Sequence, residues 1–100
     1  MNLMNKLNQA LRLIRVFHDK SLSELSKQTN ISISYLSEIE SGKKNPSLDV
    51  IRKYATAFHT TESAILFFSE NIETDTKTKT ALRNNILKFL EILERAKTVK

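Results

Sequence analysis

Apolar residues recur at intervals of three and four along residues 3–68, which is the period of an amphipathic α-helix. The longest early stretch predicts a first helix over about residues 4–18, with Leu7, Leu11 and Ile14 on its buried face. Four shorter periodic stretches follow, and each is introduced by a serine or threonine suited to capping a helix. They predict helices that begin after Ser21, Ser32, Ser47, and either Thr60 or Thr61.

The breaks between these short helices are marked by residues with special backbone chemistry. Ser21 and Glu24 have the spacing of a capping box, in which each side chain accepts a hydrogen bond from a backbone amide at the helix start. Asn30 is placed to end the second helix, because asparagine adopts the left-handed conformation most easily after glycine. The only glycine and the only proline, Gly42 and Pro46, close the third helix. Two short helices joined in this way predict a helix-turn-helix.

The composition of the chain changes after residue 68. Residues 69–80 hold one aliphatic residue among acidic, basic and hydroxyl side chains, so we expect a polar linker there. The helical pattern returns in residues 81–100, with the spacing of a helix that packs on another helix. The chain is therefore predicted to contain a folded domain over 1–68, a linker over 69–80 and an amphipathic C-terminal helix over 81–100.

The C-terminal helix has two interpretations. It folds back on its own domain, or it pairs with its counterpart in a second subunit. We favour dimerisation, because five helices already bury their own apolar faces and this helix adds another apolar seam. The residues predicted to dimerise are Leu82, Ile86, Phe89, Leu90 and Leu93, with Phe67 and Phe68 as further contributors.

Composition narrows the class of protein. One glycine and one proline in 100 residues leave few turns for a sheet, so the fold is expected to be all-α. The absence of cysteine excludes disulfides and thiolate metal sites, and it is consistent with the reducing cytoplasm, which is the predicted location. The longest apolar run, residues 64–68, is too short to span a bilayer, so no membrane association is expected.

The charged and nucleophilic residues do not form a recognisable catalytic pattern. His18 and His59 have no second ligand at helical spacing, so we expect neither a metal site nor a cofactor, and no enzymatic activity. The net charge of +5 permits nucleic-acid binding without requiring it.

Three motifs carry a family resemblance. They are Leu-Ser-Glu-Leu-Ser at 22–26, Tyr-Leu-Ser-x-Ile-Glu-x-Gly-Lys at 35–43, and Asn-Pro-Ser-Leu at 45–48. In these motifs, residues 8–68 resemble the DNA-binding domain of Cro/C1-type (XRE family) helix-turn-helix transcriptional regulators. The resemblance implies a five-helix repressor-like domain, followed here by the additional C-terminal helix.

The resemblance also implies that the third helix lies in the DNA major groove and contacts base edges near its start. The base-contacting residues would then be Ser32, Ile33, Ser34, Tyr35 and Glu38. Glu38 is suited to accept a hydrogen bond from a cytosine amino group. Two alternatives stay open, since Ile33 also fits burial beneath the turn and Tyr35 also fits packing in the core.

A second group of residues would contact the phosphate backbone. Basic and polar side chains beside a recognition helix fix its register and make binding salt-dependent. This group comprises Ser23, Lys27, Lys43, Lys44 and Asn45. For residues 43–45 the alternative is an ordinary solvated loop. Leu22 occupies a position where the family often has glutamine, which removes one expected backbone contact.

Arg15 and Glu40 stand where the family has an ion pair that joins the first helix to the end of the third. Together these features predict a homodimeric, sequence-specific regulator of transcription. We expect it to bind a double-stranded DNA operator of pseudo-palindromic sequence and to repress, with its own operator as one candidate. The alternative is a protein-interaction module, such as an antitoxin or controller-type regulator, whose C-terminal helix binds a partner protein.

Overall fold

The computed structural model describes residues 5–72 and 79–98, without the side chains of residues 5, 79–82, 93 and 96–98. These two ranges contain six α-helices and no β-strand, so the predicted all-α class is confirmed. In chain order the helices are α1 (Asn5–Phe17), α2 (Leu22–Thr29), α3 (Ile33–Glu40), α4 (Leu48–Ala57), α5 (Glu62–Asn71) and α6 (Lys79–Thr98).

The first five helices surround one apolar core. Burial of these side chains away from water is the main favourable contribution to the stability of such a domain. The fully buried residues include Leu11 and Ile14 of α1, Leu25 of α2, Leu36 and Ile39 of α3, Tyr54 of α4, and Ile65 and Phe68 of α5. The helical period of the sequence predicts the burial of these residues. The further prediction that Phe68 contributes to a dimer contact is wrong, because its ring is fully buried and packs on Phe89 of the same subunit.

Leu48 is an exception to the predicted pattern. The sequence places it on the periodic apolar face of the fourth helix, whereas its side chain is 63% exposed in the structure. Leu48 is the first residue of α4, directly after the N-cap Ser47. Leu48 lies in the first turn of α4, where its side chain stays outside the core. Val50, Ile51 and Tyr54, further along the helix, are buried in that core.

The start of the predicted linker is part of the folded domain. Helix α5 continues to Asn71, and Ile72 is buried after it. Ser69 is also buried. Its hydroxyl donates to the carbonyl of Leu66 at 2.7 Å, so the buried hydroxyl has a hydrogen-bond partner without water. Helix α6 begins at Lys79, so of the predicted linker only residues 73–78 lie outside the described residues. Polar composition alone was misleading here.

Helix α6 folds back on its own domain. The Phe89 ring lies 5.1 Å from the Phe68 ring of α5 and 5.5 Å from the Phe17 ring of α1, measured between centroids. The Lys88 ammonium donates to the Asn71 carbonyl at the end of α5, at 2.7 Å. These contacts attach α6 to α1 and to α5.

The predicted dimerisation residues therefore have different environments. Phe89 is only 2% exposed and packs within its own subunit, whereas the sequence assigned it to a contact with a second subunit. The Phe89 ring packs against the Phe68 ring of α5 and the edge of the Phe17 ring of α1. Ile86 is half-buried and Leu90 is 41% exposed. The side chains of residues 82 and 93 lie outside the described part of the chain.

Candidate nucleic-acid interface

The turn between α2 and α3 is fixed by short-range hydrogen bonds. Asn30 ends α2 with φ 61° and ψ 28°, and its amide donates to the Ser26 carbonyl. The Ser26 hydroxyl donates to the Ile31 carbonyl at 2.5 Å, and the Thr29 hydroxyl donates to the Leu25 carbonyl at 2.8 Å. Ser32 then caps α3 by accepting from the Tyr35 amide at 3.1 Å. Because its backbone groups are paired, the turn holds α3 in one orientation relative to α2.

The first residues of α3 face outward. Ser32, Ile33 and Ser34 are exposed, and Ile33 is 48% exposed, so its predicted alternative of burial beneath the turn is wrong. Tyr35 is half-buried and packs against the core. Glu38, one turn later, is also partly exposed. The start of α3 thus presents an apolar side chain and three hydroxyl groups, with a carboxylate one turn along the helix.

The segment after α3 is held by the helix end. The Glu38 carbonyl accepts from the Lys43 amide at 2.9 Å and from the Lys44 amide at 3.2 Å. Gly42 has φ 86°, a left-handed value that a residue with a Cβ adopts only with strain, and its amide donates to the Ile39 carbonyl. Pro46 is buried, whereas Lys43, Lys44 and Asn45 are exposed. We call residues 41–47 the basic loop.

The basic loop contacts the recognition residues. The Lys44 ammonium lies 3.5 Å from a Glu38 carboxylate oxygen and 5.5 Å from the centre of the Tyr35 ring. Both charged side chains remain about half exposed, so the pair contributes little to stability. Its effect is on charge, because Lys44 compensates a carboxylate that would otherwise repel phosphate. The structure thus brings three of the predicted site residues together, while Ser23 and Lys27 are exposed on α2, outside this group.

Beneath the interface lies a buried polar network. The Arg15 guanidinium donates from Nε to both carboxylate oxygens of Glu40, at 2.9 and 3.0 Å, and from Nη1 to the Lys20 carbonyl at 2.8 Å. The Tyr54 hydroxyl donates to the same carboxylate at 2.8 Å. Burial, and then the neighbouring Glu40 charge, raise the pKa of Tyr54, so the phenol stays protonated and remains a donor. This network joins α1, α3 and α4.

Tyr54 is a member of the network that sequence reasoning missed. It occupies an apolar position of the α4 pattern, which by itself predicts burial and no polar role. A usable signal was present, because a buried tyrosine hydroxyl needs a hydrogen-bond partner. The identity of that partner depends on how α3 and α4 meet, and the sequence does not specify this.

The helix-turn-helix region of the chain matches a known protein family. A profile described as helix-turn-helix matches residues 11–65, which includes α2, the turn, α3 and the basic loop. The chain belongs to the Cro/C1-type (XRE) helix-turn-helix family. The predicted resemblance is therefore confirmed.

Two curated relatives are similar to part of the chain. Both are described as transcriptional regulator ClgR of Mycobacterium tuberculosis. One is from strain CDC 1551 / Oshkosh and the other is from strain ATCC 25618 / H37Rv. Each is 38% identical to this helix-turn-helix protein over 56 residues, or 56% of the present chain. The chain spans about half the length of these relatives, 50% in each case. No solved structure matches the chain.

The described residues form neither a membrane-spanning helix nor a metal-binding cluster. Among the helices in those ranges, none combines the length and the hydropathy that crossing a bilayer requires. In the same part of the chain, no three histidine, cysteine, aspartate or glutamate side chains gather where they would hold a metal ion.

Proposed function

We propose that this protein is a sequence-specific DNA-binding regulator of transcription that reads operator bases with the first turns of α3. The observation that carries this proposal is the outward-facing set Ser32, Ile33 and Ser34, next to Tyr35 and Glu38. Hydroxyls hydrogen-bond to several base edges, an exposed isoleucine contacts a thymine methyl, and a carboxylate accepts from a cytosine amino group.

The basic loop supplies the phosphate contacts in this proposal. Lys43, Lys44 and Asn45 are exposed directly after α3, so a DNA strand that borders the groove occupied by α3 passes close to them. Contacts of this kind position the protein without reading sequence. Ser23 and Lys27 on α2 are weaker anchors of the same type.

The regulator acts as a homodimer on a pseudo-palindromic operator, and occupation of that operator represses transcription. One small domain contacts only a few base pairs, whereas a two-fold dimer reads two half-sites about 34 Å apart. A second copy is proposed to pack on the outward apolar side chains of α5 and α6. These are Phe67, Leu87 and Leu90, which are 47%, 52% and 41% exposed, with Ile86 beside them. The operator of its own gene is one candidate site.

The exposed apolar side chains of α5 and α6 also favour a second candidate function. In this alternative the same surface binds a different protein, as in an antitoxin or controller-type regulator. The two functions are distinguished by whether the purified protein alone selects a DNA sequence and forms a dimer.

Selection from a random duplex pool, at a low and a moderate salt concentration, tests the proposal directly. The expected result is an enriched sequence with two related half-sites. If no sequence is enriched and affinity depends on salt alone, specific regulation is wrong and the protein-interaction function is favoured.

A matched pair of exposed-residue variants separates base reading from phosphate anchoring. Ser34→Ala should reduce the preference for the selected duplex over random DNA by about 1 kcal/mol, which is roughly fivefold. Lys43→Ala should weaken binding to both duplexes equally and reduce the slope of log affinity against log salt by about 0.9. An equal loss on both duplexes for Ser34→Ala would contradict its role in base reading.

A further inference from the structure

Asn8 is a polar side chain buried between α1, the end of α3 and the basic loop. It is only 2% exposed. Its amide nitrogen donates to the carbonyl of Ile39, the residue before the last of α3, and to the carbonyl of Lys44 in the basic loop, at 3.1 Å. Both amide hydrogens are therefore used on segments that border the proposed DNA interface.

The Asn8 amide oxygen has no hydrogen-bond partner among the described residues. Buried polar atoms are nearly always paired, so an unpaired oxygen is costly to the fold. The orientation of the amide is nevertheless determined, because Ile39 and Lys44 present carbonyl oxygens, which only a donor can satisfy. The two simultaneous donations place the asparagine between the end of α3 and the basic loop.

The basic loop depends on such contacts for its placement. The Lys43 and Lys44 amides donate to the Glu38 carbonyl, so the position of the basic loop depends on the end of α3. The bond from Asn8 to the Lys44 carbonyl adds a connection to α1. Lys44 in turn holds its ammonium 3.5 Å from the Glu38 carboxylate, within the group that faces DNA in the proposed function.

We propose that Asn8 is a positioning residue for DNA binding, whose amide holds the Lys44 segment of the basic loop in the place where it meets a phosphate. This inference rests on the proposed function. Without this attachment Lys44 is not held where it meets the phosphate, so its phosphate contact is lost and affinity falls. Since a phosphate contact is sequence-independent, the reduction applies to every duplex and appears in the salt dependence.

A double-mutant cycle between Asn8 and Lys44 tests the inference. The variants are Asn8→Leu, which keeps the side-chain size without the donors, Lys44→Ala, and the two combined. Affinity is measured by fluorescence anisotropy over a salt series, on a random-sequence duplex of about 20 base pairs and on the selected duplex. Gln9→Leu, at the neighbouring half-buried position, is the matched control.

Lys44→Ala should reduce the salt slope by about 0.9 on both duplexes. Asn8→Leu should reduce it by a similar amount, and the combined variant should lose no more affinity than Lys44→Ala alone. Gln9→Leu should retain the wild-type slope. Additive losses in the combined variant, or an unchanged slope in a folded Asn8→Leu protein, would overturn the role of Asn8.

Circular dichroism melting establishes whether each variant folds. If Asn8→Leu does not fold, Asn8→Ser takes its place under the same criteria, and an unchanged slope there overturns the inference. Wild-type protein that binds neither duplex overturns the proposed function itself. Wild-type binding with an unchanged slope in the Asn8 variant overturns only this inference.

Discussion

Individual side chains in this protein stabilise the orientation of the proposed recognition helix. The carboxylate of Glu40 is buried, yet it accepts hydrogen bonds from both Arg15 and Tyr54. A buried charge is tolerated only when such partners satisfy it. Since Glu40 is the last residue of α3, the network fixes the end of the helix whose start faces outward. Asn8 acts on the same helix end through the Ile39 carbonyl.

Replacing Tyr54 with phenylalanine tests the third member of this network. Tyr54→Phe removes a hydrogen bond to a charged acceptor, so the free energy of unfolding should fall by about 1.5–3 kcal/mol. Urea denaturation measures this loss. Tyr35→Phe is the matched control, because Tyr35 is a half-buried tyrosine outside the network of Arg15, Glu40 and Tyr54. A loss of equal size in both variants would contradict the role of Tyr54.

The pH dependence of this contribution follows from the raised pKa of Tyr54. The folded-state pKa lies above the ordinary value of 10.0, so the protonated phenol is favoured by folding. The stabilisation is therefore fully present below pH 10 and is lost as the pH rises through the folded-state pKa. Tyr54→Phe should lack this component of alkaline destabilisation.

At the scale of elements, the short helices depend on their first residues. Helices α2 and α3 have 8 residues each, and helices of this length are marginal in isolation. Ser21, Ser32, Ser47 and Thr61 each accept a hydrogen bond from the amide three residues later, at 3.0, 3.1, 3.2 and 3.0 Å. These caps satisfy amides that no helical carbonyl can reach. They begin the helices at the residues that the sequence predicts, with Thr61 rather than Thr60 at α5.

The capping box of α2 should give acid-dependent stability. The Ser21 amide, which donates to the Glu24 carboxylate at 2.9 Å, and the Ser21 hydroxyl lower the pKa of Glu24 below 4.5. A lowered folded-state pKa stabilises the protein above the unfolded value, and the effect is lost as the pH falls through the folded value. We expect wild type to exceed Glu24→Gln in stability at neutral pH and to lose this advantage as the pH falls through the folded-state pKa of Glu24.

Thermal melting over this pH range measures the effect. Glu70→Gln, on the exposed end of α5, is the control and should follow the wild-type profile. A constant difference between wild type and Glu24→Gln at every pH would show that the ionised carboxylate is not responsible.

At the scale of the whole molecule, α6 completes the domain and also exposes a new apolar surface. Phe89 joins an aromatic cluster with Phe17, His18, Phe58 and Phe68, in which neighbouring ring centres lie 4.7–5.9 Å apart. This packing uses one face of α6. Another part of the helix carries the exposed Leu87 and Leu90, which is the surface proposed for a second copy.

Substitutions on the two faces should therefore have different effects. Phe89→Ala creates a cavity and should reduce the free energy of unfolding by about 3–5 kcal/mol. The combined Leu87→Glu and Leu90→Glu variant should dissociate the dimer while the subunit remains folded. Sedimentation reports the mass, and Glu91→Gln, on an exposed part of α6, should leave it unchanged. Wild-type protein that sediments as a monomer would contradict dimerisation, as would an unchanged mass in the double-glutamate variant.

Features that depend on neighbours along the chain were predictable. The helical period identifies the buried residues of α1 to α5, and the capping serines and Gly42 mark where short helices begin and end. Family motifs identified the helix-turn-helix itself. The hydrogen bonds of the helix caps join residues three or four positions apart, so the spacing along the chain is enough to identify the two partners.

Features that depend on distant residues were not predictable in the same way. The Asn8 amide bonds to residues 31 and 36 positions away, and Tyr54 bonds to a carboxylate 14 positions away. The sequence offered both a folded-back and a dimeric C-terminal helix, because an apolar stripe fits any complementary surface. Tertiary structure alone decided that Phe89 packs against Phe17 and Phe68, since only packing brings those rings to one place. The sequence determined which helices form and which one resembles a DNA reader, while the fold determined what holds that helix in position.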